Sequence, residues 1–188
     1  MCVAMAAEVS DEVLAARAQA GDAGAFEQLV RVHADRLHAV VQRLVNDEHE
    51  AQEVTQETFL RAWRGLGGFK GDAQFFTWLY RIGVNEANRR LKLTAKSAAQ
   101  RSLEDLTLEP HDPGPGPQGQ SEQRDLRTAL EAAVRDLHPD YRTPLVLRDI
   151  EGLSTREAAA IMGLRPAAFK SRLHRARLDV REAVAKHL

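Results

Sequence analysis

Cysteine is nearly absent from this chain. Cys2 is the one thiol among 188 residues, so neither an internal disulfide nor a thiolate zinc cluster can be built from it. That composition suits a reducing compartment. Long hydrophobic runs are absent as well: nothing approaches the roughly 20 apolar residues that cross a bilayer. The opening residues Met1 to Ala7 lack the basic flank and apolar core of a signal peptide, and a cytoplasmic chain with no membrane insertion is expected. There is no glycine-rich phosphate loop and no nucleophile motif. His49-Glu50-Ala51-Gln52-Glu53 has the outline of a zinc-binding helix, but Glu53 stands where the second histidine belongs. His33 and His38 are spaced so that they point to different sides of a helix. No metal, no cofactor and no enzymatic activity is expected. Nor does either charge sign dominate, with 26 Lys and Arg against 27 Asp and Glu. Such a chain binds nucleic acid only through local patches, so the distribution of charge matters more than its sum.

What the chain does have is helical periodicity almost throughout. Asp11 to Ala20 reads as a short helix stopped by Gly21. A start signal at Asp22 opens a long helix whose apolar stripe is Phe26, Leu29, Val30, Leu37, Val40, Val41 and Leu44. Further helices are expected from about Asp47 to Trp63 and from Ala73 to Leu93. The pattern then collapses: between Leu108 and Gln120 lie four prolines and three glycines with nothing apolar to anchor a core. Periodicity resumes with Leu126, Leu130, Ala133, Val134 and Leu137. The expectation is an all-α protein of two small helical domains, 10–96 and 123–188, joined by a flexible linker over 97–122. Each module is large enough for its own core, and the second, at about 65 residues, is close to the lower limit for independent folding.

The second module carries the sharper motif. Ser154-Thr155-Arg156-Glu157 is a capping box, Gly163 supplies a turn, and Pro166 suits the first position of the next helix. At 100° per residue Phe169, Leu173, Ala176 and Val180 share one arc and face a core. The other side presents Ala167, Lys170, Ser171, His174 and Arg175, with Arg172 and Arg177 at its margins. From Arg165 to Leu188 there are seven Lys and Arg against two Asp and Glu. A basic helix behind a helix-turn suits the major groove; a merely solvated basic helix is the plainer alternative.

Two patches stand out in the first module. From Asp47 to Glu57 there are five carboxylates and no Lys or Arg. Glu50, Glu53 and Glu57 share a narrow face flanked by Gln56 and Leu60, while Ala51, Val54, Thr58 and Ala62 point inward. A solvated acidic face is the ordinary reading of such a cluster, but an apolar Leu60 beside it fits a face covered by a basic partner. The second patch gathers Phe69, Phe75, Phe76, Trp78 and Tyr80, five of the ten aromatics, beside Lys70, Arg81, Arg89, Arg90, Lys92 and Lys96. Aromatics among cations suit single-stranded DNA. Most of these rings are expected in the core, with the Lys70-Gly71-Asp72-Ala73-Gln74 loop and the basic edge touching DNA.

These segments also resemble a known family. Lys170-Ser171-Arg172-Leu173-His174-Arg175-Ala176-Arg177, with Leu137-His138-Pro139-Asp140-Tyr141-Arg142 upstream, is similar to region 4 of the extracytoplasmic-function (ECF) sigma factors of the sigma-70 family. Gln56-Glu57-Thr58-Phe59-Leu60-Arg61-Ala62-Trp63 resembles region 2.2, and Phe76-Thr77-Trp78-Leu79-Tyr80-Arg81-Ile82 with Asn85 resembles regions 2.3 and 2.4. The resemblance implies a sigma factor that directs core RNA polymerase to promoters. Glu50, Glu53, Gln56, Glu57 and Leu60 would bind the β′ clamp helices. Lys70, Asp72, Gln74, Phe75, Arg81, Asn85, Arg89 and Arg90 would engage the −10 element. Ala167, Lys170, Ser171, Arg172, His174, Arg175 and Arg177 would read the −35 element, with the β flap beneath the second module and an anti-sigma factor as a further partner. Gln52 and the Ala168-Phe169 pair depart from the family pattern; the latter replaces a usual Thr-Val pair and removes a hydroxyl. The alternative is a helix-turn-helix regulator that is not a polymerase subunit. That needs a receiver or ligand pocket, for which the first module offers no α/β pattern.

Overall fold

The computed structural model describes the backbone of residues 9–101 and 121–186, and the side chains of 9–94 and 126–186. All regular elements among them are helical. In the first module α1 spans Asp11–Gln19, α2 Ala23–Val45, α3 Glu48–Gly65 and α4 Phe75–Arg101, with a single 3₁₀ turn at Leu66–Gly68. Local chemistry sets each boundary. Gly21 takes a left-handed φ of 98° and breaks α1 from α2. The Asp22 and Asp47 carboxylates accept from the Ala25 and Glu50 amides at 3.0 and 2.8 Å, capping α2 and α3. The expected inward residues of α2 and α3 are buried, among them Leu29, Leu37, Val40, Val41 and Leu44 on α2 and Ala51, Val54, Thr58 and Ala62 on α3. Three helices meet at Gly83, where a Cβ would lie 3.0 Å from Leu37 Cδ1 and 3.4 Å from Thr58. A side chain there requires the Leu37 methyl to give by a few tenths of an ångström.

α4 continues to Arg101 and so enters the stretch expected as linker; the proline-rich segment at its centre lies outside the described residues. The second module comprises α5, Ser121–Asp136; α6, Pro139–Leu145, which widens into a π turn at Val146–Ile150; α7, Thr155–Ile161; and α8, Pro166–Ala185. The Ser154–Glu157 capping box forms in both directions, at 3.2 and 2.8 Å. Gly163 sits at a φ of 64° between α7 and α8. Phe169, Leu173, Ala176 and Val180 all face the core, as their spacing requires.

The two modules pack on one another. The buried guanidinium of Arg142 donates to the carbonyls of Leu137 and Arg135 within its own module and, across the boundary, to the Leu44 carbonyl at 2.5 Å. Burial holds this guanidinium below its usual pKa. Glu151 accepts from Arg36 at 3.3 Å and from Arg43 at 3.1 Å, both on α2. α7 lies against α4.

Tyr80 is 1 % exposed and its hydroxyl has no hydrogen-bond partner. Burial pushes the phenol well above its ordinary range. A raised folded value means that this contribution to stability is complete below the ordinary tyrosine range and is lost as pH rises through and beyond it. Tyr80→Phe removes an unsatisfied buried donor, so it should be neutral or stabilising by up to about 1 kcal/mol at neutral pH. It should also flatten the alkaline decline; urea unfolding at neutral pH and above pH ~10 measures both. Phe169→Ala, by contrast, empties a fully buried site and should cost roughly 3–5 kcal/mol.

Candidate functional site

Three surfaces emerge from these elements. On the first, Gln56 and Leu60 are exposed and Glu50, Glu53 and Glu57 half-buried along α3, with Leu60 showing 49 % of its surface. This acidic face is not isolated from the basic edge of α4. Arg90 reaches Glu53 at 2.7 Å and Glu50 at 3.7 Å. Arg61 joins Glu57 at 2.7 Å to Glu86 at 3.2 Å, and Arg89 forks onto the same Glu86. Glu86 itself is 2 % exposed, and the Arg89 guanidinium, its principal partner, holds its carboxyl below the usual carboxylate range. The sequence alone does not single out Glu86. Its spacing three residues before Arg89 was the available signal, but its burial and its reach to Arg61 are tertiary. Arg89 and Arg90, expected on DNA, here stand within the acidic face instead of apart from it.

The second surface is the loop before α4 and the first turns of that helix. Lys70, Asp72, Gln74, Arg81 and Asn85 are exposed. A small cleft of about 220 Å³ opens between the loop, Thr77, Trp78 and Arg81. Phe75 is the exception among the expected DNA residues. It is fully buried, with Phe69 and Trp78 packed on it at centroid distances of 5.7 and 5.8 Å, so it supports the loop and offers no face to a base. Neither Lys70 nor Arg81 has an ion pair among the described residues, leaving both charges available to the cleft.

The third surface is α8. Ala167, Lys170, Ser171, His174 and Arg175 lie exposed along one face, and Leu178 joins them. Arg175 pairs with Asp179 at 3.1 Å. The two arginines at the margins behave differently. Arg172 is half-buried and reaches Asp140 at 3.4 Å. Arg177 grips Asp149 with two bonds of 2.9 and 2.7 Å and turns toward a groove between the modules, away from the exposed row. The Asp149 hydrogen bond raises the Arg177 pKa. Nothing in the spacing of α8 reveals these partners, because Asp140 and Asp149 arrive from α6 and its π turn.

An acidic face, an aromatic cleft with cations unpaired among the described residues and a helix-turn-helix, carried on two helical modules, are features of a DNA-binding protein. Comparison with known proteins makes the assignment specific. The Sigma-70 region 2 family matches residues 29–96 and the Sigma-70 region 4 family matches residues 127–180. RNA polymerase sigma-H factor of Pseudomonas aeruginosa is 36 % identical over 98 % of this chain and 96 % of its own length. ECF RNA polymerase sigma-E factor of Escherichia coli is 33 % identical over 92 % of this chain and 93 % of its own. Among solved structures, CnrH in complex with the cytosolic domain of CnrY superposes with a TM-score of 0.68 at 28 % identity, covering 95 % of this chain and 99 % of CnrH. The chain belongs to the sigma-70 family, in its extracytoplasmic-function branch, and is an RNA polymerase sigma factor. No described helix is long and apolar enough to cross a membrane.

Glu86 joins α3 to α4 through Arg61 and Arg89, which makes it a test of the acidic face's architecture. Its lowered carboxyl value means that its stabilisation is complete above the ordinary carboxylate range and is lost as pH falls through and below it. Glu86→Gln should cost about 1–3 kcal/mol at neutral pH. Acid unfolding monitored by circular dichroism should then begin from a lower plateau with a shallower slope.

Proposed function

We propose that the three surfaces divide the work of promoter-specific initiation. The acidic face of α3, through Glu50, Glu53, Gln56, Glu57 and Leu60, binds the β′ clamp helices of core polymerase. An apolar side chain half exposed among carboxylates carries this reading: water solvates the glutamates well but gains nothing from Leu60. Replacing Glu53 and Glu57 by Lys should abolish core binding in a pull-down while leaving helix content intact. Undiminished capture of core would remove the assignment.

The loop of Lys70, Asp72 and Gln74, with Arg81 and Asn85, engages opened −10 DNA. Exchanging Lys70–Gln74 for an alanine and serine linker should impair promoter opening, seen by permanganate footprinting, yet leave core association unchanged. Arg89 and Arg90 add positive charge at the edge of this surface while they hold the glutamates of α3 and α4.

On α8 the reading of the −35 element falls to Ala167, Lys170, Ser171, His174 and Arg175. Arg172 and Arg177 orient the helix through their aspartate partners. A good bidentate base contact is worth roughly 1–3 kcal/mol of discrimination. A phosphate contact weakens all sequences alike and lowers the salt slope by about one. Arg175→Ala should therefore either relax preference at one base position or weaken binding uniformly with a shallower salt dependence. Binding across single-base −35 variants at several salt concentrations separates the two. Wild-type behaviour in both series, with Lys170→Ala equally silent, removes α8 from the DNA.

Further partners fit the groove of about 1040 Å³ between the modules, floored by Leu130, Val134, Leu145, Ile150, Val180 and Val184. Leu130 and Ile150 are 46 % and 43 % exposed there. Its apolar floor suits the β flap when the second module sits on polymerase, or an anti-sigma factor that seats a helix in it. CnrH, solved with the cytosolic domain of CnrY, supports the second occupant by analogy.

A further inference from the structure

The loop before α4 has little of its own to hold it. Between Leu66 and Gln74 it carries Gly67, Gly68 and Gly71, and a Cβ at any of the three would meet nothing within 4 Å. Gly71 adds a left-handed φ of 76°. Packing anchors the segment through buried Leu66 and through Phe69, whose ring lies 5.3 Å from Trp78 and 5.7 Å from Phe75. A further restraint comes from α1. Nε2 of Gln19 donates to the Leu66 carbonyl at 2.9 Å and to the Phe69 carbonyl at 2.6 Å, across 47 and 50 positions of chain. These carbonyls stand at the two ends of the 3₁₀ turn, so one side-chain amide closes over it. The Phe69 carbonyl shares its peptide plane with the Lys70 amide, and fixing that plane fixes the direction in which the chain enters the Lys70–Gln74 loop.

Gln19 is itself held in place. It is the last residue of α1, and Arg17 grips Asp22 with bonds of 3.0 and 2.7 Å across the turn into α2. At the other end of α1, Asp11 meets His33 of α2 at 2.7 Å. The helix is a fixed platform, and the Gln19 amide is its polar hold on the loop.

We infer that Gln19 is a positioning residue for opened DNA: its amide holds the Leu66–Phe69 turn so that Lys70 and the cleft beside Thr77, Trp78 and Arg81 keep one geometry before a strand arrives. The inference rests on the assignment of that loop to the −10 element. Glycines give a loop many conformations, and a site built from such a loop loses affinity by the fraction of time it spends elsewhere. A hydrogen bond of this kind shifts that balance by about two- to tenfold. The Gln19 side chain lies at the surface, so removing its amide leaves the core of the module intact.

The test uses the full chain. Gln19→Met keeps the length of the side chain and removes both N–H groups. Backbone amide relaxation should show the order parameters of Phe69, Lys70 and Gly71 falling below about 0.6, while those of α2 and α4 stay at about 0.85. In complex with core polymerase, a fluorescein-labelled single-stranded 12-mer, selected from a random pool by the wild-type complex, should bind about three- to tenfold more weakly. A scrambled 12-mer of the same composition should bind as before, and association with core should be unaltered. Gly67→Ala with Gly68→Ala places methyl groups in open space, at positions without left-handed φ, and restricts the loop; added to Gln19→Met, the pair should restore most of the lost affinity. Unchanged order parameters in Gln19→Met overturn the inference, as does a fall that extends through α2 and α4. So does weakened 12-mer binding that the two alanines fail to restore, which makes Gln19 a direct contact. A loosened loop with undiminished 12-mer binding, where Lys70→Ala with Arg81→Ala does weaken it, overturns it as well. Failure of the cleft assignment looks different: the loop loosens as expected, but neither Gln19→Met nor Lys70→Ala with Arg81→Ala changes 12-mer binding.

Discussion

The guanidinium of Arg142 is a buried cation with no carboxylate in ion-pair contact among the described residues, and its two terminal nitrogens must find other acceptors. Backbone carbonyls serve instead: those of Arg135 and Leu137 at the end of α5, and that of Leu44 at the end of α2. Helix C-termini present unpaired carbonyls and the negative end of the helix dipole, so they are the natural partners of a buried cation. This one side chain thereby bonds α6 to the ends of α5 and α2. It also ties the second module to the first through the Leu44 carbonyl.

Charge elsewhere is managed by pairing across elements. The arginines of α8 that lie at the edge of its exposed face are held by aspartates from α6 and the π turn, which leaves Lys170, Ser171 and His174 as the row without ion pairs among the described residues. On the first module Glu86 gathers Arg61 and Arg89, while Arg90 reaches across to α3. The acidic face of α3 therefore contains its own arginines. The carboxylates of α3 and α4 and the arginines beside them form one network of charges across the two helices.

The helical elements were legible because their signals are local. Asp22, Asp47 and Ser154 cap where hydrogen-bond chemistry demands, Gly21 and Gly163 break where only glycine tolerates the backbone, and the inward residues of α2, α3 and α8 repeat at the helical period. The C-terminal end of α4 was less legible. Residues after Leu93 lack the apolar stripe that marks a packed helix, yet the backbone continues helical to Arg101.

Residue chemistry and spacing by themselves determined that this protein is all-helical, that an acidic face, an aromatic–basic segment and a basic recognition helix exist, and which residues of α8 point outward. Each of those properties depends on neighbours within a few turns of one helix. Tertiary structure decided what those residues touch. It buried Phe75 beneath Phe69 and Trp78, because an aromatic at the start of α4 faces α2 once the loop folds back. It placed Arg89 and Arg90 among glutamates, and it turned Arg177 onto Asp149 at the margin of the groove. Above all it set Glu151 between Arg36 and Arg43, residues more than a hundred positions away in the chain. Periodicity reports which side of a helix is apolar; only the packing of distant helices decides which charges meet.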